Sequence, residues 1–213
     1  MTRWIVFDAM GVIFDEGDDI LNRLVPFLRR RGLTMDGEVL HEVYRRASLG
    51  LVAPRDFWEA VGFGAEYPAI EREYLEACLQ LDPQFVPAAE SLAARYSLAI
   101  LSNDIAEWSA YLRKRHGLDD LFRAAVISGE VGVRKPAPEI YRILLERLHA
   151  RGGDCVFVDD RIANLAPAAE LGIVPVLRTK EGKPAAREIR YRIKSLSELP
   201  ALVEGIFAED PPA

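Results

Sequence analysis

Runs of consecutive apolar residues, mostly rich in β-branched side chains, recur at positions 4–7, 98–101, 124–127, 156–158 and 174–177. They show no polar alternation, so each reads as a strand buried on both faces. Helical periodicity separates the later four, over 105–115, 138–148 and 163–171. Gly172 then stands where a helix C-cap glycine belongs. Strand alternating with helix predicts a parallel sheet with helical crossovers.

Between the first two runs the pattern changes. Positions 19–80 carry helical periodicity and turn signals without a convincing strand, with candidate helices at 20–30, 37–48, 54–61 and 69–79. Pro26 would kink or break the first. The expectation is an α/β protein with a Rossmann-like core, residues 1–17 and 83–213, carrying an inserted helical cap, residues 18–82. Pro83 and Pro87 lead into a helix at 88–95 that returns the chain to the sheet, and the proline-bearing tail 208–213 reads as frayed.

Composition narrows the function. Half of the 213 residues are hydrophobic, enough for a substantial core in one large domain or one domain with an insertion. A formal charge of −6 argues against a nucleic-acid surface, which needs clustered positive charge. The dense basic run Arg29-Arg30-Arg31 falls at a predicted helix end, where it would meet exposed carbonyls. Two cysteines, Cys78 and Cys155, make no disulfide framework. Neither a secretory-signal pattern nor an apolar run of spanning length is present, so the expectation is a soluble cytoplasmic protein with no membrane partner. Oligomeric state is not legible.

Parallel α/β sheets bind ligands beyond the carboxyl ends of their strands. Asp8 follows the first predicted strand and Ser102-Asn103-Asp104 the second. Ser128-Gly129-Glu130 and then Arg134-Lys135-Pro136 follow the third, and Asp159-Asp160 the fourth. If the strands are neighbours, three carboxylates, a hydroxyl, an amide and an ammonium meet at one rim. Three close carboxylates repel unless a cation offsets them. Oxygen ligands at a partly open site suit Mg²⁺, which keeps waters and accepts a phosphate oxygen. Lys135 adds positive charge without competing for the metal, while Ser102 and the Asn103 amide can donate to a phosphoryl oxygen.

Four ordered segments, Phe-Asp-Ala-Met-Gly-Val-Ile-Phe (7–14), Leu-Ser-Asn-Asp (101–104), Arg-Lys-Pro (134–136) and Val-Asp-Asp-Arg-Ile-Ala-Asn (158–164), resemble the motifs of the haloacid dehalogenase-like superfamily. The resemblance spans about 8–178. Asp-Asp-x-x-x-Asn, then a helix and Leu-Gly-Ile, is similar to phosphatases related to the amino-terminal domain of soluble epoxide hydrolase. It implies a Mg²⁺-dependent hydrolase of a small phosphorylated metabolite, with Asp8 as a nucleophile that forms an aspartyl-phosphate and also binds the metal. By the same resemblance, Asp160 and the backbone carbonyl of Met10 bind Mg²⁺, with Asp159 assisting directly or through water. Ser102 and Asn103 would hold the phosphoryl group, Lys135 would stabilise it, and Asn164 would orient the loop.

One position departs from the family. Its phosphatases carry a second aspartate two residues after the nucleophile, which protonates the leaving oxygen and then activates water; here that position is Met10. A thioether transfers no protons, and such help is worth roughly two to four powers of ten in rate. His41 and Glu42 in the cap are candidate replacements, whereas Asp15 lies too far along the chain. Three alternatives follow. Haloacid dehalogenases have an aromatic residue at this position and need no metal, which leaves the Asp159-Asp160 pair unexplained. Phosphonate-cleaving relatives use a cap lysine, but the first lysine here is Lys114, beyond the cap. A protein that only binds phosphate, or a degenerate scaffold, would keep the site without the acid.

Plainer roles stand beside these. Asp8 could cap a turn, and the Ser102–Asp104 and Asp159-Asp160 segments could cap the helices that follow. Met10 reads as packing beneath the loop. Phe57, Trp58 and Phe63 could line a pocket, though packing between cap and core suits at least two of them better. Arg45-Arg46 could meet an anionic substrate or simply face solvent. His41, His116 and His149 are too scattered for a metal site.

Overall fold

The computed structural model describes residues 2–179 and 189–209. Its centre is one parallel sheet of six strands in the order β3-β2-β1-β4-β5-β6. The strands are β1 (Trp4–Phe7), β2 (Ser97–Ser102), β3 (Ala124–Ile127), β4 (Cys155–Asp159), β5 (Val174–Arg178) and β6 (Tyr191–Ile193). The five predicted strands are all present, each within two residues of its expected bounds. β1, β2 and β4 are buried at every position, as continuous apolar runs require.

Helices α6 (Ala106–Arg115), α8 (Pro138–Leu148) and α9 (Ile162–Glu170) make the crossovers where the pattern placed them, and Gly172 takes a φ of +80°. The short α7 (Ser128–Val131) follows β3 directly. The helix expected over 88–95 begins earlier, as α5 (Phe85–Ala93). Asp82 starts it by accepting from the Gln84 amide at 2.9 Å, and Pro87 sits in the first turn, where a missing N–H costs nothing.

Between β1 and β2 lie α1 (Val25–Arg29), α2 (Gly37–Ala47), α3 (Pro54–Ala60) and α4 (Ala69–Cys78). The helix expected over 20–30 starts as a wider π turn, Ile20–Leu24, and becomes α-helical where Pro26 occupies its opening turn. Arg31 donates to the Phe27 carbonyl at 3.2 Å, as expected of a basic run at a helix end. Phe57 and Trp58 are fully buried in an aromatic cluster with Tyr44, Tyr74 and, from α6, Trp108. Both indoles donate to the Glu71 carboxylate, at 2.8 and 2.7 Å. Phe57 and Trp58 therefore pack rather than line the pocket at the sheet rim.

A final helix, α10 (Leu199–Glu209), covers α5. Ala208 and Glu209 belong to it; the rest of the tail expected to fray lies outside the described residues.

Candidate active site

The site follows from register. Phe7 of β1 pairs with Val158 of β4, so the next residues, Asp8 and Asp159, leave the sheet side by side at the point where strand order reverses. On the other flank Phe7 pairs with Ile100, which brings Ser102 to the same rim.

Asp8 is 7% exposed, Asp159 and Asp160 are 0% and 7%, and Lys135 is 4%. The Lys135 ammonium bridges two of the carboxylates, 2.7 Å from Asp8 Oδ1 and 2.8 Å from Asp159 Oδ2. Its loop is tied down by Asn103, whose amide oxygen accepts from the Lys135 amide at 2.8 Å. The Asn103 Nδ2 donates back to the Lys135 carbonyl at 2.9 Å. Asn164 donates to both Asp159 oxygens, at 3.2 and 2.9 Å, and the Arg161 amide reaches Asp159 Oδ1 at 2.7 Å.

Burial lifts the Asp8 carboxyl to about 7 against the pull of Lys135, with Asp159 and Asp160 adding repulsion. Burial also pulls the Lys135 ammonium down, but Asp159 and Asp8 together outweigh it and its pKa rises. The acids thus hold the ammonium charged, while its pull only partly offsets the burial of Asp8, leaving one ammonium among three acids.

That excess of negative charge asks for a second cation. Oxygen atoms of Asp8, Asp159 and Asp160 lie within 4.8 Å of one another, a spacing a single metal ion can span. The Asp160 carboxylate is cradled by glycines: a Cβ on Gly11 would stand 2.7 Å from its Cγ, and one on Gly17 would collide with it. An all-oxygen donor set of this kind fits Mg²⁺.

Above the rim lies a pocket of about 470 Å³, counting space open to solvent. Asp8, Met10, Ser102, Asn103, Lys135 and Asn164 line it, so the sequence-predicted residues share one cavity or the carboxylate cluster beneath it. Of the two proposed acid/base replacements, His41 lines the pocket too. Glu42 is exposed and held by Arg45 through two 2.7 Å hydrogen bonds. Asp104 does not cap α6: Ile105 takes the cap position, and Asp104 Oδ1 accepts from the Ile105 amide and, at 3.3 Å, from Tyr44 Oη. The N-cap of α9 is Arg161, whose side chain makes no capping bond and whose amide donates to Asp159.

Three features escaped sequence reasoning. Arg134 and Arg161, named only within their motifs, line the pocket, whereas Arg45 and Arg46 do not. Asp19, buried, lines it from the segment entering the first helix. Arg178, buried at the end of β5, braces the Asp8 loop by donating to the Gly11 and Val12 carbonyls at 3.2 and 2.6 Å, and pairs with Asp82. An arginine closing an apolar strand was the available signal for the last.

The profile of haloacid dehalogenase-like hydrolases matches residues 2–172. (S)-2-haloacid dehalogenase 4A of Burkholderia cepacia is 25% identical over 228 residues, covering 96% of each chain. Sesquiterpene phosphatase astK of Aspergillus oryzae is 27% identical over 175 residues, covering 79% of this chain and 86% of its own. The crystal structure of a HAD phosphatase from Thermococcus onnurineus shares the fold, with a TM-score of 0.73 at 24% identity over 96% of this chain and 99% of that one. By the profile match, which covers most of its length, the chain belongs to the haloacid dehalogenase-like hydrolase family.

Proposed function

We propose that the chain hydrolyses a small phosphorylated metabolite, in a Mg²⁺-dependent reaction through an aspartyl-phosphate on Asp8. The observation that carries this reading is the buried Asp8, Asp159 and Asp160 cluster with a single ammonium among its carboxylates. A carboxylate nucleophile needs no metal, but three packed acids do. Asp8, Asp160 and the backbone carbonyl of Met10 would hold the ion, with Asp159 assisting directly or through water. When bound, Mg²⁺ would offset the carboxylate charge and draw negative charge from the phosphoryl oxygens.

The chain's own groups do the rest. Asp8 attacks phosphorus from the floor of the pocket. Lys135, locked between Asp8 and Asp159, stabilises the charge on the transferring group. Ser102 and the backbone amide of Asn103 donate to its oxygens, and Asn164 fixes the Asp159 carboxylate. Residues 18–82 act as a cap that closes the pocket against bulk water. Both cysteines are free thiols, and we place the protein in the cytoplasm.

A second reading has support of its own. The (S)-2-haloacid dehalogenase matches this chain end to end, and position 10 lacks the phosphatase aspartate. In that case Asp8 would displace halide from a 2-haloacid and no metal would be needed.

One panel separates the two. Phosphate monoesters and 2-haloacids are assayed with Mg²⁺ and with EDTA, using wild type and Asp8→Asn. The phosphatase reading expects phosphate release that EDTA abolishes and Asp8→Asn removes by roughly three powers of ten or more. Halide release indifferent to EDTA would reverse the assignment.

A further inference from the structure

Phosphoryl transfer through Asp8 needs a proton for the departing alkoxide and a base for the incoming water, and the Met10 thioether supplies neither. We infer that Asp19, buried in the wall of the same pocket as Asp8, is the general acid and base that position 10 lacks. The inference rests on the phosphatase reading above.

The placement of Asp19 has no other explanation among the described residues. It stands at the N-cap position of the first helical turn, yet makes no side-chain capping bond. Its neighbour Asp18 does that work, accepting from the Leu21 amide at 3.2 Å. Asp19 is 6% exposed and forms no salt bridge among the described residues. The one side-chain hydrogen bond it receives there comes from Tyr74 Oη, 3.0 Å from Oδ2. That bond spans 55 positions of sequence, from α4, and fixes the carboxyl at the pocket wall. A carboxyl that caps nothing and pairs with no cation is costly to bury, and such cost concentrates at functional sites.

The surroundings suit proton transfer. Tyr74, Asp18 and Arg161 face Asp19, Tyr44 and Asp104 lie close enough to feel its charge, and His41 and Arg134 share the pocket. Burial, the largest influence, lifts the Asp19 carboxyl to about 6, so both forms are accessible near neutrality. In the first step an Asp8 oxygen bonds to phosphorus, the ester P–O bond breaks, and the Asp19 carboxyl gives its proton to the leaving alkoxide. In the second, the Asp19 carboxylate takes a proton from water as that water attacks phosphorus. The Asp8–phosphorus bond breaks, phosphate leaves, and both side chains return to their starting states.

The test compares leaving groups. Wild type, Asp19→Asn and His41→Gln are assayed in Mg²⁺ on 4-nitrophenyl phosphate, whose phenolate leaves unprotonated, and on n-butyl phosphate, whose alkoxide cannot. For Asp19→Asn the expected result is a loss of about 10²–10⁴-fold on butyl phosphate. On 4-nitrophenyl phosphate it should give a burst near one equivalent of nitrophenolate before a slow steady rate, because acylphosphate hydrolysis has lost its base. Met10→Asp should restore butyl phosphate turnover in the Asp19→Asn background while adding less than tenfold to wild type. Equal losses on both esters without a burst, or selective loss in His41→Gln instead, would overturn the role of Asp19. A wild type inert to both esters would overturn the phosphatase reading itself, which is a separate result.

Discussion

Two groups of buried acids lie around one pocket, and they are neutralised in opposite ways. At the sheet rim, Asp8 and Asp159 hold the Lys135 ammonium between them, with the Asp160 carboxylate close by. Where the helical segment meets the core, Asp19 and Asp104 receive side-chain hydrogen bonds from the phenols Tyr74 and Tyr44, and neither forms a salt bridge among the described residues. The first arrangement gathers negative charge where a cation can meet it. The second has no cation, and burial raises both its carboxyls, Asp104 to well above its ordinary value and Asp19 to about 6, as it raises Asp8 to about 7 at the rim. The difference teaches that burial alone does not assign a carboxylate its task. What differs is the partner: a fixed cation opposes the lift of burial at the rim, whereas a hydroxyl partner brings no charge to oppose it.

The contrast is broken hardest by Lys135→Met. Removing the ammonium leaves two buried carboxylates unpaired, which costs about 3–5 kcal/mol. Thermal unfolding should show the loss, Mg²⁺ should recover part of it, and activity should fall by roughly three powers of ten or more. If Mg²⁺ fails to recover stability, the rim does not bind the ion.

Asp19→Asn should act in the other direction on stability. The unfolded chain ionises this carboxyl near pH 4 and the folded protein near 6, so between those values the folded state holds a proton that the unfolded state has released. Stability therefore falls as pH rises through that window, by about 3 kcal/mol for this group. Asparagine keeps the acceptor for Tyr74 without the charge. The variant should melt higher than wild type above pH 6, with the gain vanishing below pH 4 in melting curves. A gain independent of pH would contradict the assignment.

The mildest probe is Gly17→Ala, whose new methyl group would collide with the Asp160 carboxylate. Because displaced ligands and their supports typically cost tenfold to a hundredfold in metal affinity, Mg²⁺ binding measured by calorimetry should weaken by about that factor. Unchanged affinity would take Asp160 out of the metal site.

The rim acids were legible in the sequence because they follow apolar strands, and register did the remaining work: one pairing, Phe7 with Val158, sets Asp8 beside Asp159. The acids of the second group were not. Nothing along the chain distinguishes Asp18 from Asp19, and only the approach of Tyr74 from α4 separates the capping residue from the buried one. Asp104 follows β2 as expected, but its Tyr44 partner comes from a helix whose facing could not be read along the chain. The missed strand β6 is three residues at the sheet edge with an exposed arginine at its centre, too short and mixed to stand out as an apolar run.

The central claim is that Asp8 accepts a phosphoryl group with a divalent ion beside it. Acid-quenching the protein during turnover of 4-nitrophenyl phosphate, then locating the modification by peptide mass spectrometry, tests this directly. The account predicts phosphorylation at Asp8 in Mg²⁺ and none in EDTA. An unmodified Asp8 under both conditions, with a 2-haloacid esterifying it regardless of chelator, would contradict it.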